Sequence, residues 1–340
     1  MQLRATPTTA ALAAATFAML SVQAVAADQF ISIATGGTAG IYFPLGGAMG
    51  KLWTDNIPGV QATAEVTGAS VENTRLVVSG EAVVALGTGN VVYEAHQGIG
   101  RFEQRGRQPV LAIGALYPNA IQIATLAGSG IQGLQDLQGK RVSVGAPGSG
   151  TEVMNKDVFA AVGITYDQFK TAARLSYAET TNAMKDGNLD AGSLSVGLGA
   201  SALLDLASTR DMHLVCMTPA EVDAITAKFP YYAPFTIPGG TYPGVDDDCA
   251  TIQVANHLFV RADADEDLIY QMTKVLYEHT DKLVQTSKAA STVSPAYAMA
   301  STVVPLHPGA IRYYREIGVA IPERLLAAGP DGTVPVRATD

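Results

Sequence analysis

Three short segments carry the residue types from which an anion site can be built without a basic side chain: 35–40 (TGGTAG), 68–70 (GAS) and 145–151 (GAPGSGT). Each follows a strand-patterned run and leads into a helix-patterned one. The first N–H groups of a helix have no partner inside it and carry partial positive charge, so they accept a carboxylate or phosphate directly. Glycine lets a ligand approach the backbone, and Ser and Thr add hydroxyl donors. Ordinary helix capping explains one such loop equally well. Three in one chain point to an anion-binding cleft at the carboxyl ends of parallel strands. The candidates are Gly37, Thr38 and Gly40 in the first loop, Ser70 in the second, and Ser149, Gly150 and Thr151 in the third. Alanine at Ser149 is therefore expected to weaken ligand binding and leave folding intact. Tyr42 and Tyr117 are the aromatic candidates, as ligand contacts or as core. Trp53 and Phe159 fall at helical positions and read as core.

Other chemistries fail on spacing. Gly145 and Gly150 have the Walker separation, but Thr151-Glu152 stands where Lys-Ser/Thr is required. The run 87–89 lacks the third glycine of a dinucleotide fingerprint, and Ser149 is not in Gly-x-Ser-x-Gly. Asp246-Asp247-Asp248 does not follow an EF-hand spacing and reads as a solvated turn. His96, His213, His257, His279 and His307 show no ligand spacing, and two cysteines do not make a zinc site. No Ser-His or Cys-His motif supports an exported hydrolase. No metal, cofactor or catalytic residue is expected.

The elements that must position these loops alternate between periods of two and 3.6. Strands are expected over 30–34, 61–67, 82–86, 110–116, 120–126, 141–144, 189–195, 213–217 and 251–260. Helices are expected over 44–55, 71–79, 151–162, 180–186, 264–286 (capped by Asp263) and 308–317. Periodicity fades after Gly329. Strand, Gly/Ser/Thr loop and helix recurring in this order is the rhythm of an α/β fold with a parallel sheet. No linker of biased composition separates domains. Two lobes sharing connecting strands account for this, with lobe I over 28–119 plus 237–340 and lobe II over 120–236. The first crossing is expected near 117–122, the return between 231 and 251.

The chain has 340 residues and a formal net charge of −9. That charge excludes a generic nucleic-acid binder and a polybasic membrane-surface protein. Hydrophobic residues at 48% against 16% charged allow a large core. Residues 1–27 have a short basic start, an apolar run and small-x-small sites ending near Ala26 and Ala27, which is a secretory leader. Its removal takes away Arg4 and no acid, leaving −10. An exported, periplasmic and monomeric protein is expected. In an oxidising compartment, Cys216 and Cys249 are either bridged or two buried thiols.

Several segments resemble the TAXI family, substrate-binding proteins of tripartite ATP-independent periplasmic (TRAP) transporters. They are 32–48 (SIATGGTAGIYFPLGGA), 67–73 (TGASVEN), 139–145 (GKRVSVG) with 148–152 (GSGTE), 237–244 (IPGGTYPG) and 305–314 (PLHPGAIRYY). The resemblance covers nearly all of the chain after the leader. It implies a periplasmic-binding-protein fold of type II, two α/β lobes joined by hinge strands around a ligand cleft. It implies capture of a small carboxylate, glutamate-like or 2-oxoglutarate-like, and delivery to integral-membrane TRAP permease subunits driven by an ion gradient. It adds Asn73 to the candidate contacts. Where the family has a Gln-Ser-Asp-like run, this chain has Thr88-Gly89-Asn90, so Thr88 and Asn90 are the candidates there and no carboxylate is present. A periplasmic sensor subunit, or the binding protein of an ATP-driven ABC importer, would share this fold.

Overall fold

The computed structural model describes residues 29–326. The predicted leader and the tail beyond Gly329 lie outside them. Ten strands form one sheet: β1 (Gln29–Ala34), β2 (Val60–Glu65), β3 (Val84–Thr88), β4 (Val110–Leu126), β5 (Arg141–Ser143), β6 (Thr171–Ala173), β7 (Ala191–Val196), β8 (Met212–Leu214), β9 (Ala233–Ile237) and β10 (Cys249–Arg261). The order is β2-β1-β3-β10-β4-β7-β5-β6, with β8 on β4 and β9 on β10. β1, β2 and β3 are mutually parallel, as are β5, β6 and β7. The long strands β4 and β10 run antiparallel to their neighbours and to each other, and tie these two parallel groups together.

The two expected strands over 110–116 and 120–126 are therefore one, 17 residues long. Pro118 offers no N–H to a ladder. The strand continues through it, with Pro118 in register opposite Ala255, and the β10 register shifts only further on, between Asn256 and His257. Two apolar cores flank the sheet. The larger includes Ile33, Leu45, Trp53, Leu86 and Phe259; the smaller includes Ile123, Leu134, Val142, Phe159 and Ile252. Trp53 is wholly buried and its indole N–H donates to Met272 O at 3.0 Å, so it is core as expected.

The helices that face the loops are α1 (Tyr42–Asn56), α2 (Ser70–Ser79), α3 (Gly89–Gln97), α4 (Gly150–Ala161) and α5 (Tyr177–Lys185). After them come α6 (Ser201–Thr209), α7 (Pro219–Lys228), α8 (Glu266–Glu278), α9 (Thr280–Thr286), α10 (Pro295–Ser301) and α11 (Pro308–Glu316). The helix expected over 264–286 divides into α8 and α9 at His279, whose φ of −126° leaves the helical region. Its cap is Asp265, which accepts from Leu268 N–H at 2.7 Å, and not Asp263. α5 starts three residues before expectation because Ser176 and Glu179 form a capping box.

Cys216 and Cys249 are bridged, with Cα atoms 5.1 Å apart, which resolves the alternative left open by the sequence. They join the segment after β8 to the start of β10.

His257, at the β10 bulge, is fully buried. Its Nε2 accepts from Val303 N–H at 3.2 Å, so the ring proton is on Nδ1, against Ala255 O. Burial holds its pKa down at about 4 from an ordinary 6.5. The neutral ring favours the fold fully above pH 6.5, and that contribution is lost as pH falls through 4. The difference is worth about 3 kcal/mol. In urea titrations the wild type should lose this stability relative to His257→Gln between pH 6.5 and 4. The buried Glu94, shifted up to about 7, contributes a slope of the opposite sign to both proteins and cancels in the comparison. Parallel pH profiles would refute the assignment.

Candidate functional site

The carboxyl ends of the parallel strands open into a cavity of about 340 Å³. The loop after β1 supplies Gly37, Thr38 and Gly40, and α1 begins beside it at Tyr42. The loop after β2 supplies Ala69, and α2 begins at Ser70. Thr88, the N-cap of α3, closes one side. Across the cavity stand Gly150 and Thr151, the first residues of α4, and Tyr177, the first residue of α5. Five helices thus start around one cavity. Tyr117 and Asn119 reach it from the middle of β4, and Ser195 from β7. No lining residue is charged.

Ala69 has φ 73° and ψ −148°, a region that residues with a Cβ rarely occupy. Strain of this kind persists only where surrounding structure enforces it. Here Ala69 O accepts from Asn73 N–H, and Ala69 N–H is held by Thr67 Oγ1. The kink sets Ser70 at the wall, where its Oγ accepts from Thr88 N–H at 3.1 Å.

Three phenols meet here, all desolvated, with their pKa values raised by burial. Tyr42 donates to Asn256 Oδ1 at 2.5 Å. Tyr177, pushed up to about 12, donates to Ser195 O at 2.5 Å, so the Thr151 hydroxyl 2.6 Å away must donate to it. Tyr117 is fully buried, and its hydroxyl has no protein partner. An unpaired buried hydroxyl forfeits a hydrogen bond.

Nine expected residues meet at this wall: Gly37, Thr38, Gly40, Tyr42, Ser70, Thr88, Tyr117, Gly150 and Thr151. Asn73, Asn90 and Ser149 do not line it. Asn73 is buried, and its amide donates to Ala34 O, Thr35 O and Leu86 O, stapling the carboxyl ends of β1 and β3 together. Asn90 donates to the Tyr232 hydroxyl at 3.3 Å. Ser149 is the N-cap of α4: its Oγ accepts from Glu152 N–H and donates to Ala146 O. These bonds lead to a different expected effect of alanine at this position. Ser149→Ala should cost about 1 kcal/mol of stability and change ligand affinity little. Denaturant titration and calorimetry measure the two effects; an intact stability with lost affinity would restore the direct contact.

Tyr177, Asn119, Ser176 and Ser195 were not anticipated. The Ser-x-x-Glu of 176–179 was a readable helix start. Asn119 and Ser195 gave no local signal, because only the pairing of β4 with β7 brings them together, with Asn119 Nδ2 donating to Ser195 O at 2.7 Å.

The two parallel groups touch around the cavity. Gly148, at φ 77°, turns its carbonyl onto the N–H groups of Val71 and Glu72 at the start of α2. Ala39 O accepts from Ala202 N–H and Ser201 Oγ at the start of α6. Arg101 pairs with Glu152. A smaller cavity of about 180 Å³, walled by Tyr93, Tyr231, Tyr232 and Tyr297, contains none of the loop residues. Among the described residues, no group of His, Cys, Asp and Glu is placed to hold a metal ion, and no helix is long and apolar enough to cross a membrane.

A family description, NMT1-like, matches residues 33–318. A solved structure from Bordetella bronchiseptica RB50 aligns over 90% of this chain and 85% of its own, with 20% identity and a TM-score of 0.52. The periplasmic aliphatic sulphonate binding protein SsuA from Escherichia coli aligns over 86% and 94%, with 12% identity and a TM-score of 0.47. A ligand-binding component of an ABC-type import system from Staphylococcus aureus aligns over 79% and 82%, with 13% identity and a TM-score of 0.46. The fold is the two-lobed α/β architecture of periplasmic binding proteins, with β4 and β10 as the strands shared between lobes.

Proposed function

The chain belongs to the NMT1-like family, a periplasmic solute-binding protein type, and from that premise we propose that it captures a small carboxylate in the cavity between its lobes and hands it to a membrane permease. The observation that carries this is the meeting of five helix starts around an uncharged cavity. An anion there is held by N–H dipoles and hydroxyls in a low-dielectric setting, where such bonds are strong. Lobe I over 28–119 plus 237–340 and lobe II over 120–236 close on it, and the carbonyls of Gly148 and Ala39 latch the lobes by capping α2 and α6. The periplasm is the compartment, reached through the leader at 1–27.

Glutamate and 2-oxoglutarate are the first ligands to test, because the loop segments resemble those of TAXI proteins. A thermal-shift screen against organic acids and amino acids tests capture, since a ligand that binds the folded state raises the melting temperature by mass action. No shift with any carboxylate would end this reading. Two kinds of permease remain to be separated. Delivery to a TRAP permease rests on the segment resemblance; delivery to an ABC importer accords better with the name of the Staphylococcus aureus structure above. Uptake of the bound acid in cells carrying the protein tells them apart. Collapse of the ion gradient with ATP held constant abolishes the first, and ATP depletion with the gradient held abolishes the second.

A further inference from the structure

Behind the cavity, α3 packs on α4. On the proposed boundaries these helices belong to lobe I and lobe II. Their contact holds two acids. Glu94 of α3 is only 7% exposed, and its Oε2 has no hydrogen-bond partner. Asp157 of α4 accepts at Oδ2 from the hydroxyls of Tyr231 and Tyr232, at 3.3 and 2.8 Å. Asn90, one turn before Glu94, donates from Nδ2 to the same Tyr232 hydroxyl at 3.3 Å, so the polar cluster runs from one helix to the other.

Burial raises the Glu94 pKa from an ordinary 4.5 to about 7, and the Asp157 charge adds to this; the N–H and charge of Arg101 and the charge of Lys156 pull the other way. Arg101 is itself paired with Glu152. On the other elements that pack on α3, Glu72 of α2 accepts from Gly68 N–H, Arg75 of α2 pairs with Glu81, Arg261 of β10 pairs with Asp263, and His257 of β10 is neutral at about 4 and above. Asp157 keeps two phenol donors, which favour its charged form, whereas Glu94 Oε2 has none. The proton therefore belongs on Glu94. We propose that the α3–α4 contact is a proton-operated catch: it holds the lobes together while Glu94 Oε2 carries a proton, and loosens when two buried carboxylates face each other. This rests on the proposed closure of the lobes and adds a pH control to it.

Opening exposes Glu94 and takes Asp157 away, so its pKa returns toward 4.5 and a proton is released in the window from 4.5 to 7. The opening constant then rises with pH through that window and levels off above it. Hydrogen exchange reads this constant without any ligand. The N–H groups of Val71 and Glu72 are held by Gly148 O, and that of Ala202 by Ala39 O, across the lobes. Their exchange, corrected for the intrinsic rate, should rise about 10- to 30-fold between about pH 5.5 and about pH 8.5 in the wild type. Glu94→Gln, which keeps the shape and cannot ionise, should show no such rise and should exchange more slowly than the wild type at the higher pH. Gly150→Ala is the control for opening itself: a Cβ there would lie 2.4 Å from Thr88 Oγ1 across the cavity, so exchange should rise at both pH values. A flat wild-type profile beside a responsive Gly150→Ala overturns the inference and leaves closure standing. A rise that persists in Glu94→Gln belongs to another group and also overturns it. If Gly150→Ala changes nothing, the lobes do not part as proposed, and both readings fall.

Discussion

Replacing Gly150 with alanine is expected to lower ligand affinity about 10- to 100-fold while the protein remains as stable as before. A Cβ at this position would lie 2.4 Å from Thr88 Oγ1 and 2.7 Å from Ser70 Oγ. Both atoms belong to buried side chains across the cavity and have little room to retreat. Overpacking of this kind costs about 1–3 kcal/mol, which is that range of affinity. On the proposed closure of the lobes the cost falls on the closed form alone, since opening would separate α4 from α2 and β3. Alanine is a better helix former than glycine at the first position of α4, so the lobe itself is not harmed. Calorimetry with the best acid from the screen, beside a denaturant titration, measures both halves of the expectation. Unchanged affinity would mean that the two walls do not approach when the ligand is bound.

The largest expected effect on stability comes from the bridge. Cys216 and Cys249 are 33 residues apart in sequence. Closing a loop of that length in the unfolded chain contributes roughly 4 kcal/mol. Cys216→Ser with Cys249→Ser should therefore move the urea midpoint down by that equivalent, and a reductant should do the same to the wild type and nothing to the double variant. Neither cysteine lines the cavity, so affinity measured below the transition should be retained. Coincident midpoints with and without reductant would show that the bridge adds nothing.

Much of the cavity wall was legible because its logic is local. A glycine, a hydroxyl residue and a helix start are neighbours in the chain, so the loops at 35–40, 68–70 and 145–151 announced themselves. Roles were less legible than positions. Asn73, Asn90 and Ser149 belong to the same segments, and nothing in the sequence says that Asn73 faces three carbonyls inward or that Ser149 turns its hydroxyl to its own helix. Local rules also missed the through-running β4. A proline ordinarily argues for an interruption, yet here Pro118 keeps its place in the ladder opposite Ala255.

The sequence by itself determined the α/β alternation, the acidic character of the chain, and the helix starts that surround the cavity, since these depend on contacts within a few residues. Only the tertiary structure decided which starts face one another, that the wall they form is free of charge, and that Tyr117 alone of the three phenols keeps an unspent proton. Those properties depend on where β4, β7 and β10 lie side by side. Hydrogen-bond partners 139 and 18 residues apart, such as Tyr117 O with Asn256 or Tyr177 with Ser195, are set by that arrangement and leave no mark on sequence spacing.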